Sequence, residues 1–504
     1  TDTEAFRRMI GRIVHFSDVH LNLLDDNVKL PPKYGSDPPI QLLMNALEFA
    51  AKEFPDPDVF FYTGDSVIHE PKVEEKRFHW KQDEIRAVVE AVIEKFYCIY
   101  GEESERKKKV KMITTVFGNA DATPNYALDI TDGKTDNPTL KVISSAWKTH
   151  LTTEQLEEFK KGGYTFTHIE EKLAVITLNT APYAEKHPGE DTLADPLGQF
   201  AWLERTLANL ERKGIYVYLL GHIPPILHVH DEGYQWKSRF IEKFKDVIKP
   251  FVKIIKAQIY GHVHTFELRA FEVENILVPL FTISAISPKY WNSPSFTVWK
   301  YDKKTYELLD YQAYGSRKEP FTKWEPIFSA TQQYNLEDLS KKSVKEFTEK
   351  FIEKGKINST LFAAYDYNRY VQSPYAEDCK CESAQARANV LCSFVWYTDE
   401  KDVRECLKKK ATILESLGSP KGDRIKLVEG PTTKDHIAEH RMLYPATEDG
   451  PTKKPAFNKP WTSATVYLTI ISLLLILIML AKILGIKARW TRSIKGDRWI
   501  ERTQ

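Results

Sequence analysis

The sequence predicts an α/β fold over residues 11–315, on two observations. Short β-branched and aromatic runs alternate with amphipathic helical segments. Most of those runs end in Asp, Asn or His, often beside a glycine that lets the backbone turn sharply. In order, the runs are "RIVHFSDVH", "DVFFYTGD", "KMITTVFGN", "LAVITLNT", "IYVYLLGH", "AQIYGHVH" and "LVPLFTISAIS". Helical spacing fits between them at 40–54, 82–98, 151–161 and 198–212.

The remainder divides by composition. Residues 320–417 read as a smaller, mostly helical subdomain, and residues 418–460, polar and rich in Pro, Gly, Lys and Thr, read as a stalk. Residues 461–484 begin with "WTSATVYLTIISLLLILIMLA", an uncharged run long enough for a helix to cross a hydrocarbon core of roughly 30 Å. Lys482, Lys487, Arg489, Arg492, Lys495 and Arg498 follow, so residues 485–504 are expected as a basic cytosolic tail. This predicts a single-pass type I membrane protein with its catalytic domain extracellular or in a lysosome or vacuole lumen. A signal peptide is then expected to have been removed ahead of Thr1.

Two features agree with an oxidising compartment. Asn358-Ser359-Thr360 is a glycosylation sequon. Cys379, Cys381, Cys392 and Cys406 lie close enough for up to two disulfides, with three possible pairings; Cys392 and Cys406 are the candidates carried forward. Cys98 lies in an apolar run and is expected to be a buried free thiol. Lys+Arg number 71 and Asp+Glu 70, so global charge gives no argument for nucleic acid as a dedicated partner, and nothing in the chain sets an oligomeric state.

The strand ends carry the chemistry. Asp18 and His20 follow the first strand, Asp65 the second, Asn119 the third, His222 the run "YVYLLGH", and His262 and His264 the run "AQIYGHVH". Strand ends on one edge of a sheet converge in space, so these residues can line one pocket. Two Asp, one Asn and four His form a mixed carboxylate and imidazole set. Such a set suits borderline divalent metals, Zn foremost, with Mn or Fe possible, rather than Ca or Mg alone. His228, His230 and Asn292 are candidates to line a substrate pocket; His15, inside the first strand, is expected in the core.

The order Asp-x-His, Gly-Asp, Gly-Asn, Gly-His, Gly-His-x-His resembles the calcineurin-like metallophosphoesterase superfamily. "TGDSVIHE", "DPLGQFAWLERTL", "LLGHIPP" and "ISAISPKYWNSPSFTVWKYDKKTYELLDY" are similar to stretches of its acid sphingomyelinase-like phosphodiesterase branch. The resemblance implies a central β-sandwich flanked by helices and a dinuclear metal site. One metal would be held by Asp18, His20 and His264, the second by Asn119, His222 and His262, with Asp65 bridging. A metal-activated hydroxide is then expected to attack the phosphorus of a small-molecule or polymeric phosphoester.

In that branch two histidines attend the leaving group. One is His69, in the Gly-Asp-x-x-x-His element; the other should follow Asn119, where this chain has Ala120. Endopolyphosphatases, with similar motifs, carry Asn there and expel a phosphate chain, so polyphosphate stays an alternative substrate. No saposin-like stretch precedes "RIVHFSDVH", so nucleotide-type or choline-type phosphodiesters are expected ahead of sphingomyelin. A non-catalytic receptor or adhesion ectodomain on a degenerate scaffold is the alternative of another class, favoured by Ala120 and opposed by the complete ligand set.

Overall fold

The computed structural model describes residues 9–375 apart from 25–28, 74–75, 78, 102–109, 114, 190–192, 228–232, 274–275, 351, 354–355 and 358, together with Val390, Cys392, Glu405 and Lys408. All belong to one unit, Thr1–Thr433; the other unit, Lys434–Gln504, lies outside the described residues.

Sixteen strands run through the described residues. They are β1 (Ile10–Phe16), β2 (Val59–Tyr62), β3 (Lys72–Val73), β4 (Lys76–Arg77), β5 (Lys111–Ile113), β6 (Thr165–Glu170), β7 (Leu173–Thr177) and β8 (Tyr216–Leu220). Then come β9 (Ile255–Tyr260), β10 (Glu267–Val273), β11 (Ile276–Thr282), β12 (Ser295–Asp302), β13 (Leu308–Gly315), β14 (Glu325–Ser329), β15 (Ile352–Glu353) and β16 (Lys356–Ile357). Twelve form two six-stranded mixed sheets, ordered β14-β13-β12-β1-β2-β5 and β10-β11-β9-β8-β7-β6. One apolar cluster joins their inner faces. Ile13, Phe61, Trp299 and Tyr311 come from the first sheet, and Val175, Tyr218, Ile259 and Phe281 from the second.

Alternation along β1 shows why the arrangement is layered. Ile13 packs between the sheets, while Val14 and Phe16 point outward against helices Ile40–Glu53 and Gln82–Tyr100. The second sheet likewise buries Ala174, Ile176, Val217 and Leu219 under helices Gln199–Arg212 and Ser238–Ile248. The result is a β-sandwich with helices on both outer faces. β1 runs parallel to β2, and β2 to β5; β8 runs parallel to β7 and β9. Within each sheet the carboxyl ends of these strands therefore share an edge, and the ligand-type residues sit there.

Two expectations need correction, one helix was not foreseen, and several readings fall outside the described residues. Cys98 is exposed, not buried: helix Gln82–Tyr100 buries Val92, Ile93 and Phe96, and position 98 lies on its opposite side. The segment after residue 320 opens with a strand, since β14 pairs antiparallel with β13 and extends the first sheet. Helix Ser238–Ile248, with buried Phe240, Ile241, Phe244, Val247 and Ile248, was not read from the sequence. Among the described residues no helix is long and apolar enough to cross a membrane. The expected span, stalk and tail at 418–504 lie outside the described residues, as do Cys379, Cys381, Cys406, Asn358, His228 and His230. Cys392 is fully buried.

Candidate metal centre

The loops after β1 and β2 run side by side. Asp18 N–H donates to Gly64 O at 3.0 Å, His20 N–H to Asp65 O at 3.0 Å and Leu21 N–H to Ser66 O at 2.7 Å. This ladder delivers Asp18, His20 and Asp65 to one spot. The second sheet supplies His222, His262 and His264 from the loops after β8 and β9. Asp18 accepts the His262 N–H with both carboxylate oxygens at 3.0 Å, which joins the two sheets' loops at the site.

The backbone there is unusual. Asp18, His20, Asp65, His262 and His264 all have positive φ, between 45° and 72°. Side-chain-bearing residues avoid this region at a cost of roughly 1–2 kcal/mol each, so the surrounding packing must hold them there. The glycines beside them are forced by crowding. A Cβ on Gly118 would lie 2.0 Å from Asp65 Oδ1, and one on Gly261 would lie 2.1 Å from Ser17 Oγ.

The ring nitrogens have defined roles. His20 Nδ1 lies 2.8 Å from Val67 O, and His222 Nδ1 lies 2.8 Å from Thr63 O. A carbonyl can only accept, so each Nδ1 carries hydrogen, and in the neutral ring Nε2 presents a lone pair. Those Nε2 atoms stand 3.4 Å and 3.1 Å from the same oxygen, Asp65 Oδ2. His264 Nε2 lies 3.4 Å from Asp18 Oδ1 and 3.2 Å from His20 Nε2, and its Nδ1 is buried without a hydrogen bond. His262 Nδ1 lies 3.3 Å from His222 Nε2, while its Nε2 faces Gln235 Oε1 at 2.8 Å. Asn119 Oδ1 is 3.0 Å from His222 Nε2, and its amide donates to Asn125 Oδ1 at 2.9 Å.

Buried lone pairs aimed at buried carboxylates repel unless a proton or cation stands between them. Three sets of ligand atoms each lie within 4.8 Å of one another: Asp18, His20 and Asp65; Asp65, His222 and His262; and His20, His69 and His264. Asp65 belongs to two of them, as a bridging carboxylate must. The donor set therefore fits two divalent cations.

Without a cation the electrostatics split the two rings: His20 stays neutral, while Asp65 holds a proton on His222 where a cation would otherwise stand. Burial lowers His20 to about 3, so its ring is neutral. Burial also pulls His222 down, but Asp65 outweighs it and raises the ring to about 9. Burial pushes Asp18 and Asp65 up, yet neighbouring histidines hold both below the ordinary carboxylate range.

His69 shares the third of those ligand-atom sets with His20 and His264. Its ring stacks on His20 with centroids 3.7 Å apart, and its Nδ1 is 2.9 Å from Asp37 Oδ1. Burial lowers its pKa, but the Asp37 carboxylate outweighs that and raises it. Asn292 is not placed as a substrate contact. It is fully buried, and its amide donates to Ser287 O at 3.1 Å, bracing the turn after β11. His15 is in the core as expected, between Thr63 Oγ1 at 3.0 Å and Trp299 Nε1 at 3.2 Å.

Two residues at the site, Asp37 and Gln235, had no sequence signal. Asp37 sits in "GSDPPI", which reads as a turn, and Gln235 lies in an irregular loop. Asp121 was visible in "GNAD", but its task is structural. Its carboxylate accepts the N–H of Ser66 at 2.9 Å and of Gly118 at 3.0 Å, clamping the Asp65 and Asn119 loops together. Burial, then Asp65, raises it to about 6.

Comparison with known proteins agrees with this geometry. The family described as calcineurin-like phosphoesterase matches residues 11–266, and the acid sphingomyelin phosphodiesterase C-terminal region matches residues 270–413. The human protein named cyclic GMP-AMP phosphodiesterase SMPDL3A is 26% identical over 434 residues, covering 79% of this chain and 90% of the relative. Mouse acid sphingomyelinase-like phosphodiesterase 3b is 26% identical over 380 residues, covering 66% of this chain and 78% of the relative. Dictyostelium discoideum sphingomyelinase phosphodiesterase D is 28% identical over 311 residues, covering 59% and 66%. The chain belongs to the calcineurin-like phosphoesterases, as a hydrolase of the acid sphingomyelinase-like phosphodiesterase family.

Proposed function

We propose that this phosphodiesterase acts on soluble phosphodiesters of nucleotide type, through two divalent cations, Zn foremost. Asp18, His20 and His264 would hold one cation, Asn119, His222 and His262 the other, and Asp65 would bridge. The observation that carries this is Asp65 Oδ2 standing 3.4 Å from His20 Nε2 and 3.1 Å from His222 Nε2. When bound, such a pair polarises phosphoryl oxygens and activates a water near neutral pH.

The chain's own residues then orient and protonate. Val67 O and Thr63 O fix His20 and His222 so that Nε2 faces the site. His69 would give a proton to the leaving oxygen; His228 and His230 are proposed as substrate-lining residues on the sequence alone. The name of the human relative, a cyclic GMP-AMP phosphodiesterase, supports a nucleotide substrate. Ala120, where the branch carries a second histidine, favours one further reading. A leaving group that departs as a stabilised anion, as in polyphosphate, needs less protonation.

The test is a screen of the purified protein against cyclic dinucleotides, nucleoside triphosphates, polyphosphate, bis-p-nitrophenyl phosphate and sphingomyelin, with added Zn or Mn. Asp65→Asn and His222→Ala should abolish turnover. Robust turnover by metal-free protein would reject the reading.

Anchoring by residues 461–484 is proposed on the uncharged run and the basic residues after it. If protease outside sealed vesicles reaches both the catalytic domain and residues 485–504, the anchor is rejected. That topology would allow glycosylation at Asn358 and a disulfide joining Cys392 and Cys406, one of the possible pairings, and glycosidase shift and non-reducing peptide mapping test them.

A further inference from the structure

We propose that Asp37 is a positioning residue for His69: it fixes which ring nitrogen faces the metal centre and the direction in which that nitrogen donates. The proposal rests on the reading of His69 as the leaving-group acid.

Asp37 is almost fully buried, immediately before helix Ile40–Glu53, and it is spent almost wholly on His69. Its carboxylate lies 2.9 Å and 3.1 Å from His69 Nδ1, and Oδ2 also accepts the His69 main-chain N–H at 3.1 Å. The third donor is Ser287 Oγ, 3.0 Å from Oδ1. An ionised carboxylate offers acceptors alone, so Nδ1 must carry hydrogen. Nε2 is then the nitrogen left for the site. The ring's orientation is set twice more, by the stack on His20 at 3.7 Å and by an edge contact with Tyr290 at 5.3 Å between centroids.

The same grip reaches the metal loop. Ser287, which donates its hydroxyl to Asp37, donates its main-chain N–H to Asp18 O at 3.0 Å. Asp37 thus ties the His69 loop, the Ser287 turn and the backbone of a metal ligand into one arrangement. The donating form is the imidazolium, with hydrogen on both nitrogens: the Nε2–H bond breaks, an O–H bond forms on the departing oxygen, and the ring is left as the neutral Nδ1–H tautomer beside Asp37. Buried carboxylate–imidazole pairs that fix a tautomer in this way account for large rate factors when the carboxylate is exchanged for an amide.

Asp37→Asn replaces the acceptor by a group that can donate to Nδ1, which turns the lone pair and the hydrogen around. The expected result is a fall in kcat of about 10²–10⁴-fold for an alkyl phosphodiester and at most a few-fold for bis-p-nitrophenyl phosphate, whose leaving group needs little protonation. Metal content should stay at the wild-type value, and Asp37→Asn placed on His69→Ala should add nothing further. Equal slowing of both substrates, or lost metal, overturns the proposal and makes Asp37 a scaffold residue. Failure of His69→Ala itself to discriminate between leaving groups removes the acid reading instead, so the two failures are distinguishable. Should Asp37→Asn not fold, Ser287→Ala decides: a smaller loss confined to the alkyl substrate supports the role, and no loss or a uniform loss overturns it.

Discussion

Ala120 donates its main-chain N–H to Asp65 Oδ1 at 2.9 Å, so the position that lacks the branch's second histidine still steers the carboxylate proposed to bridge the cations. The loop's backbone task and its proton-handling task are separable, and only the second is missing. Ala120→His should keep the N–H bond and the metal content. It should raise kcat/KM for alkyl phosphodiesters, by up to about 10²-fold, the lower end of what a positioned acid supplies. For p-nitrophenyl esters it should change little. Side-by-side kinetics on the two substrates check this, and a uniform gain would point to altered binding instead.

Gly118 shows how tightly that loop is built. The space its missing side chain leaves is occupied by Asp65: an added Cβ would meet Asp65 Oδ1 at 2.0 Å and Asp65 N at 2.3 Å. Oδ1 is held by the Ala120 N–H, and N belongs to a backbone pinned by the bond from His20 N–H to Asp65 O, so neither can yield cheaply. Gly118→Ala should displace the bridging carboxylate, lower bound metal and cut turnover by more than about 10²-fold, the scale expected from disturbing a metal-ligand orientation. Elemental analysis with circular dichroism separates this from global unfolding, which should not occur.

The strands and the seven ligand-type residues were legible because both follow local rules. A β-branched run needs no partner to be read as a strand, and a ligand residue at its carboxyl end needs no knowledge of the opposite sheet. Asp37 and Gln235 were not legible in the same way. Asp37 meets His69 across 32 positions of sequence, and Gln235 meets His262 across 27. Neither stretch carries periodicity, so these contacts exist only once loops from different strands are brought together. Cys98 was misread because an apolar run was taken as a buried one, whereas helix geometry turns position 98 away from Val92, Ile93 and Phe96.

His15 gives a pH signature independent of catalysis. Burial holds its ring near 3 in the folded chain, against about 6.5 when unfolded, so the fold keeps it neutral. Between those values the unfolded state binds the extra proton. Stability from this group is complete above about 6.5 and falls by up to about 1.4 kcal/mol per pH unit as pH drops toward 3. His15→Asn, which can still bond Thr63 or Trp299, should flatten the pH dependence by about one proton. Urea unfolding at pH 6 and pH 4.5, compared between the two proteins, measures it. Parallel curves would show that His15 titrates normally.

Gln235 braces His262, proposed above as a ligand of the second cation, from behind. Its Oε1 lies 2.8 Å from His262 Nε2, and an amide oxygen can only accept, so Nε2 carries the hydrogen and Nδ1 presents the lone pair toward His222. The loop holding Gln235 is itself anchored, with its N–H donating to Ile226 O at 2.8 Å and its carbonyl accepting from Glu185 N–H at 3.0 Å. Gln235→Ala should leave the His262 ring free to rotate and weaken metal binding by about 10–100-fold, as loss of such an outer partner commonly does. At saturating metal, kcat should return most of the way toward wild type, because the ring is still present to be recruited. Gln235→Glu should hold the ring and preserve affinity. Chelator competition on the three proteins decides between this and a role in substrate binding, which would raise KM at every metal concentration and leave affinity for the metal unchanged.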